Sequence, residues 1–100
     1  MAAAYTLARW LVRDGQEDEF VRRWKDELGP FLRDIAPETH GTLILSVENP
    51  RLFYSFGPSR DLDQIAEMRA HPRTPDVMGR VIELCDEATP GAYELVMDLP

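Results

Sequence analysis

Phe53-Tyr54-Ser55-Phe56-Gly57-Pro58-Ser59-Arg60-Asp61-Leu62-Asp63-Gln64-Ile65-Ala66-Glu67-Met68-Arg69-Ala70-His71-Pro72 runs from a strand straight into a short amphipathic helix. Its first residues are apolar and favour strands, and Gly57-Pro58 turns the chain. Asp61 is placed to cap a helix over Asp61–Ala70, with Gln64 spaced to complete a capping box. Leu62, Ile65 and Arg69 then fall on one side. Pro72 discourages the helix from continuing, which leaves the titratable ring of His71 at the rim of an apolar wall. That arrangement suggests a small-molecule pocket.

Working toward the N-terminus, Leu52–Gly57 and Gly41–Glu48 read as antiparallel strands joined by the short turn Asn49-Pro50-Arg51. Before them, Phe20, Trp24, Leu28, Phe31 and Ile35 recur at spacings of three and four. This stripe predicts a helix from about Gln16 to Arg33 or Asp34. Glu17, Asp18 and Glu19 sit in its first turn, where the dipole favours acids, and Asp18–Arg22 and Glu19–Arg23 are spaced as ion pairs. Gly29-Pro30 predicts a kink or an early end. Tyr5–Arg13 reads as the first strand, broken by Asp14-Gly15.

Toward the C-terminus, Thr74-Pro75 looks like an N-cap with proline at the first helical position, opening a helix over Pro75–Ala88. Pro90-Gly91 stops it, and Tyr93–Leu99 is the last strand. The order is one α+β domain over residues 1–100, a ferredoxin-like βαββαβ unit with a four-stranded antiparallel sheet. Leu43, Ile44, Leu45 and Val47, with Leu52, Phe53, Tyr54 and Phe56 and with Leu95, Val96 and Met97 of the last strand, make the strands apolar on both faces. Helices cover only one face, so a second copy of the sheet is the expected cover for the other, giving a homodimer.

Composition narrows the function. Apolar residues make up 44% of the chain and charged ones 29%, which is globular. Eighteen acids against 11 Lys and Arg give a formal charge of −7, and no basic run exceeds Arg22-Arg23, so nucleic acid and anionic membranes are disfavoured. Cys85 is the single cysteine, which excludes an internal disulfide. It sits among Val81, Ile82 and Leu84 on the expected helix and reads as packing. Met1–Ala4 lacks signal-peptide character and no stretch approaches a membrane span, so the cytoplasm is the expected compartment. Two histidines make a transition-metal site improbable, and no phosphate loop or Ser–His–Asp signature is present.

Several residues together carry a resemblance. They are Ala8-Arg9-Trp10, Gly15-Gln16-Glu17-Asp18-Glu19-Phe20, Gly41-Thr42-Leu43, Phe56-Gly57-Pro58, Leu62, Met68-Arg69-Ala70-His71-Pro72 and Tyr93-Glu94-Leu95. In that order and spacing, over nearly the whole chain, they resemble the antibiotic biosynthesis monooxygenase-like family of dimeric α/β-barrel proteins. The resemblance implies a two-fold dimer with facing sheets and a pocket between each sheet and its helices. It also implies cofactor-free oxygenation of a phenol, quinol or anthrone-like aromatic. The sequence departs from the family pattern at Ser59 and Met68, where relatives usually carry tryptophan. Heme-degrading relatives use an asparagine and a histidine where this chain holds Ala8 and approximately Met78, which weakens a heme reading; only His71 or His40 could supply an axial ligand.

On this basis Trp10, Phe56 and Met68 are candidate pocket walls and Arg69 a candidate contact for an anionic substrate. His71 is the candidate base, since only histidine titrates unperturbed near neutrality, and the Tyr54 hydroxyl a candidate catalytic partner. Each has a plainer reading. His71 could bond the end of its helix, Tyr54 could lie at a dimer contact, and Arg69 could pair with Asp61 or near Glu67. His40 reads as surface and Trp24 as core. The choice of Trp10 over Arg9 as the pocket-facing residue rests on the resemblance. If Arg9 meets the partner sheet, it must find an acid or carbonyl there. No cofactor is expected, and the alternative to an enzyme is a dimeric ligand-binding or structural protein.

Overall fold

The computed structural model describes residues 4–100; Met1–Ala3, part of the segment judged above for a signal peptide, lie outside the described residues. Its elements are β1 (Ala4–Val12), α1 (Glu17–Arg23), a π-helical turn (Trp24–Leu28), α2 (Gly29–Ile35), β2 (Thr42–Leu45), β3 (Leu52–Ser59), α3 (Leu62–Ala70), α4 (Thr74–Ile82) and β4 (Cys85–Glu94). The strands form one antiparallel sheet in the order β2-β3-β1-β4, with the helices on one face. This is the ferredoxin-like α+β arrangement expected from the sequence.

The alternation of β1 settles which face meets the helices. Ala4, Ala8, Trp10 and Val12 are buried, while Leu7, Arg9 and Leu11 point the other way. Trp10 lies opposite Phe53, and both pack on Phe20 of α1 together with Val81 of α4 and Leu84. The Phe20 ring sits 5.6 Å from that of Trp10 and 5.0 Å from that of Phe53. A second cluster, Leu28, Phe31 and Val77, ties the first helical segment to α4.

Pro30 widens the first helix without ending it. A proline inside a helix cannot donate to the carbonyl four residues back, and its ring crowds that carbonyl. The π-helical turn at Trp24–Leu28 absorbs both effects, and the helix continues through Gly29 and Pro30 to Ile35. In its first turns Glu19 pairs with Arg23 as spaced, at 2.8 Å, but Arg22 pairs with Glu19 at 2.6 Å and not with Asp18.

The decisive stretch folds as read from Asp61 onward, but Gly57-Pro58 does not turn the chain: β3 runs through both to Ser59, paired with β1 as far as Ala4. Asp61 Oδ1 accepts from the Gln64 backbone N–H at 2.9 Å. Gln64 Oε1 accepts from the Arg60 backbone N–H at 2.7 Å, one residue earlier than a standard capping box. His71 is extended, as a residue before proline should be.

The C-terminal third departs from expectation. α4 stops at Ile82, so Cys85 lies on a strand and not on a helix. Pro90-Gly91 lies within β4, which pairs with β1 from Ala4↔Glu94 to Val12↔Cys85. An outer strand tolerates proline because alternate N–H groups face away from its neighbour. The register shifts at Leu11/Val12, leaving Asp86 as the extra residue, and this bulge brings Asp86 to Arg51 and Arg13. The expected strand Tyr93–Leu99 therefore ends at Glu94, and Val96, Met97 and Leu99 beyond it are exposed.

Candidate functional site

A cavity of about 470 Å³ opens between the helix-covered face of the sheet and the helices. Thr6, Ala8 and Trp10 of β1 and Ser55 and Ser59 of β3 form its floor. Trp24, Leu28 and Phe31 cover one side, Ile65, Met68 and Arg69 another, and Met78 of α4 closes it. The segment Thr39–Gly41 borders the opening. That volume is within the range of small-molecule sites, and the lining is mostly apolar, as such sites are.

The segment at the opening is held by close approaches that require glycine. A Cβ at Gly57 would fall far inside contact distance of the His40 carbonyl oxygen, and one at Gly41 would meet the Trp24 ring at 3.0 Å. The strand, the segment and the tryptophan thus pack as one wall.

The floor holds a buried polar pair. Trp10 Nε1 donates to Ser55 Oγ at 2.9 Å. Ser55 is 9% exposed and Ser59 3%, so both hydroxyls are withdrawn from bulk water into the cavity floor. Because Ser55 Oγ accepts from the indole, its own O–H hydrogen is directed elsewhere and remains available as a donor. Trp24 Nε1 is buried with no hydrogen-bond partner among the described residues.

Of the residues singled out from sequence, Trp10, Met68 and Arg69 come together at this cavity; Phe56 meets it only through the β3 backbone, because its place opposite Leu7 turns its side chain to the outer sheet face. Tyr54 and His71 do not line it. Tyr54 is opposite Arg9 in the β1–β3 register, which puts it on the outer sheet face, across the sheet from Trp10. Arg9 meets its acid there, with Nη1 2.7 Å from Glu87 Oε2. The Glu87 carboxylate raises the Arg9 pKa, chiefly by that hydrogen bond. His71 packs edge-on against Phe31 at 5.4 Å, and its Nδ1 accepts from the Arg73 backbone N–H at 3.1 Å. It lines a separate polar recess with Glu38, Arg60, Gln64 and Glu67.

Sequence reasoning passed over Ser55, read His40 as surface and assigned Trp24 to the core, whereas all three border the cavity. A serine between Tyr54 and Phe56, two residues from an inward-facing phenylalanine, is the signal that could have marked Ser55. Burial pushes the Cys85 thiol up to about 11, which leaves it protonated and a poor nucleophile at neutral pH. Among the described residues no group of His, Cys, Asp and Glu is placed to hold a metal ion, and no helix is long and apolar enough to cross a membrane.

The chain is a ferredoxin-like α+β domain with an apolar cavity between its sheet and its helices. Comparison with solved structures narrows this to the fold of antibiotic biosynthesis monooxygenase-like proteins. A point mutant of SnoaB, a cofactor-independent oxygenase from Streptomyces nogalater, superposes with a TM-score of 0.83 at 18% identity, over 100% of this chain and 99% of that one. A candidate antibiotic biosynthesis monooxygenase from Bordetella bronchiseptica gives 0.79 at 21% identity, over 99% and 100%. A nipsnap family protein of unknown function from Agrobacterium tumefaciens gives 0.73 at 17%, over 99% and 93%. No family model and no curated protein matches the sequence.

Proposed function

We propose that this chain is a small cofactor-free oxygenase that holds an electron-rich aromatic, of phenol, quinol or anthrone type, in the cavity between sheet and helices. The observation that carries the reading is the cavity itself: about 470 Å³, walled by Trp10, Trp24 and Met68, with Ser55 presented on its floor. The likeness in fold to a cofactor-independent oxygenase supports the same direction.

In this reading a ring CH2 activated by flanking aromatic rings loses a proton, and the resulting carbanion passes electrons to dioxygen. One oxygen atom becomes the ring carbonyl, and the other leaves as water with the two hydrogens. The protein's contribution is to exclude water, stack the ring and place a donor against the developing oxyanion. Trp10, Trp24 and Met68 supply the apolar surface, and Ser55 O–H the donor. Of the two histidines, His40 borders the cavity and His71 does not, so we assign the proton-accepting role to His40 in preference to His71.

The working unit in this proposal is a homodimer formed through the outer sheet face. Ile44 is half exposed there, and Leu7, Leu11, Leu52, Tyr54 and Phe56 share that face.

Oxygen uptake with anthrone as the probe tests the reading. Uptake without added flavin or metal that falls in Ser55→Ala and His40→Asn supports it. Uptake that falls in His71→Asn and not in His40→Asn returns the base to His71. Anthrone bound without oxygen uptake leaves a ligand-binding protein that does not turn this substrate over.

A further inference from the structure

Charge is unevenly distributed around the cavity. The chain carries a formal charge of −7, yet no Asp or Glu is among the described residues that line the cavity. The nearby acids Glu38 and Glu67 line the separate recess beside His71.

The arginines are also unevenly committed. Among the described residues, Arg9, Arg13, Arg22, Arg23, Arg51, Arg60, Arg73 and Arg80 each have a carboxylate within 4.0 Å. Arg69 and Arg33 do not, and of these Arg69 lines the cavity. Asp61, at the other end of the same helix, is paired with Arg60. An acidic protein has thus left an unpaired guanidinium at the edge of an apolar cavity without a competing carboxylate. A guanidinium is a planar fork of donors that matches a carboxylate in bidentate fashion. Arg69 is an exposed residue, so the attraction it offers is open to screening by salt.

We propose that the cavity selects aromatic acids: the fused ring lies against Trp10, Trp24 and Met68, and a carboxylate on its edge pairs with Arg69. This names the substrate class of the site described above and rests on the reading that the cavity binds an aromatic.

The test is calorimetric binding of 2-naphthoate and of naphthalene-2-carboxamide, which share a ring and differ in charge. The wild-type protein is expected to bind the acid at least tenfold more tightly than the amide, with the difference shrinking as salt is raised. Arg69→Gln should reduce the preference to about twofold or less, with an unchanged circular dichroism spectrum reporting that the variant is folded. Arg69→Lys should retain part of the preference. Equal wild-type affinity for both ligands, or a preference that survives Arg69→Gln, overturns the selectivity alone. If neither ligand binds, the aromatic-binding reading falls together with it.

Discussion

Trp10 and Ser55 sit on the same face of adjacent strands, offset by two residues in the register, with the indole Nε1 donating to the serine Oγ at 2.9 Å. Trp10 is 1% exposed, so without Ser55 its N–H would have no access to water. Leaving a buried donor unpaired costs about 1–3 kcal/mol. Ser55→Ala is therefore expected to lower Tm by several degrees, since about 1 kcal/mol shifts a domain of this size by roughly 4–8 °C. In a Trp10→Phe background the same substitution should cost less, and a thermal-melt double-mutant cycle should show coupling of about 0.5–3 kcal/mol. Additive effects would show that the pair contributes no shared energy.

Gly57→Ala tests the wall at the cavity opening. The new methyl would collide with backbone at His40, which a side-chain rotation cannot relieve. The Thr39–Gly41 segment must shift, so affinity for an aromatic probe and Tm should fall together. Gly79→Ala, in the exposed part of α4 with open space at its Cβ, is the control. It should raise stability by about 0.5–1 kcal/mol through helix propensity and leave probe binding unchanged. Tight probe binding by Gly57→Ala would mean that the segment is not part of the wall.

Glu19 links stability to pH. Hydrogen bonds from Arg22 first, and then from Arg23, hold its carboxyl down to about 2. A depressed folded-state pKa contributes stability that is present above the ordinary glutamate range and lost as pH falls toward about 2. Wild type should melt above Glu19→Gln at pH 7, and the gap should close between the ordinary glutamate value and about pH 2. Glu19 is solvent-facing, so the gap should be small and should shrink in high salt. A gap that stays constant over that range would show that the carboxylate charge is not its source.

Legibility of the sequence followed the range of the interactions. Asp61 and Gln64 act within one helical turn, and their roles could be read from spacing. The first helix announced itself through a stripe of five large residues, and the effect of Pro30 was visible as a disturbance though not as a π-helical turn. β4 was hidden because Cys85–Glu94 contains little with intrinsic strand preference; its partner is β1, at the other end of the chain. The same limit applies to the site. Which face of β1 meets the helices decides whether Trp10 or Arg9, and Tyr54 or Ser55, looks into the cavity, and a strand apolar on both faces does not reveal this.

The outer sheet face gives the prediction with the widest consequence. Ile44 pairs with Tyr54, and Leu7 with Phe56, so apolar side chains run across β2, β3 and β1 with no helix above them. Arg9 and Glu87 sit among them already paired, which removes the cost of covering a lone charge. A stable interface needs about 800 Å² from each partner, and a face of this kind is suited to supply it. Light scattering should therefore give twice the monomer mass for the wild-type chain. Ile44→Glu, which sets an unpaired carboxylate on that face beside Tyr54, should shift the protein to monomer or raise the dimer dissociation constant by well over tenfold. Removing residues 95–100, with exposed Val96, Met97 and Leu99, should weaken the dimer without unfolding the sheet, because those residues lie beyond the end of β4. A monomeric wild-type protein at micromolar concentration would mean that this face meets a different partner or none.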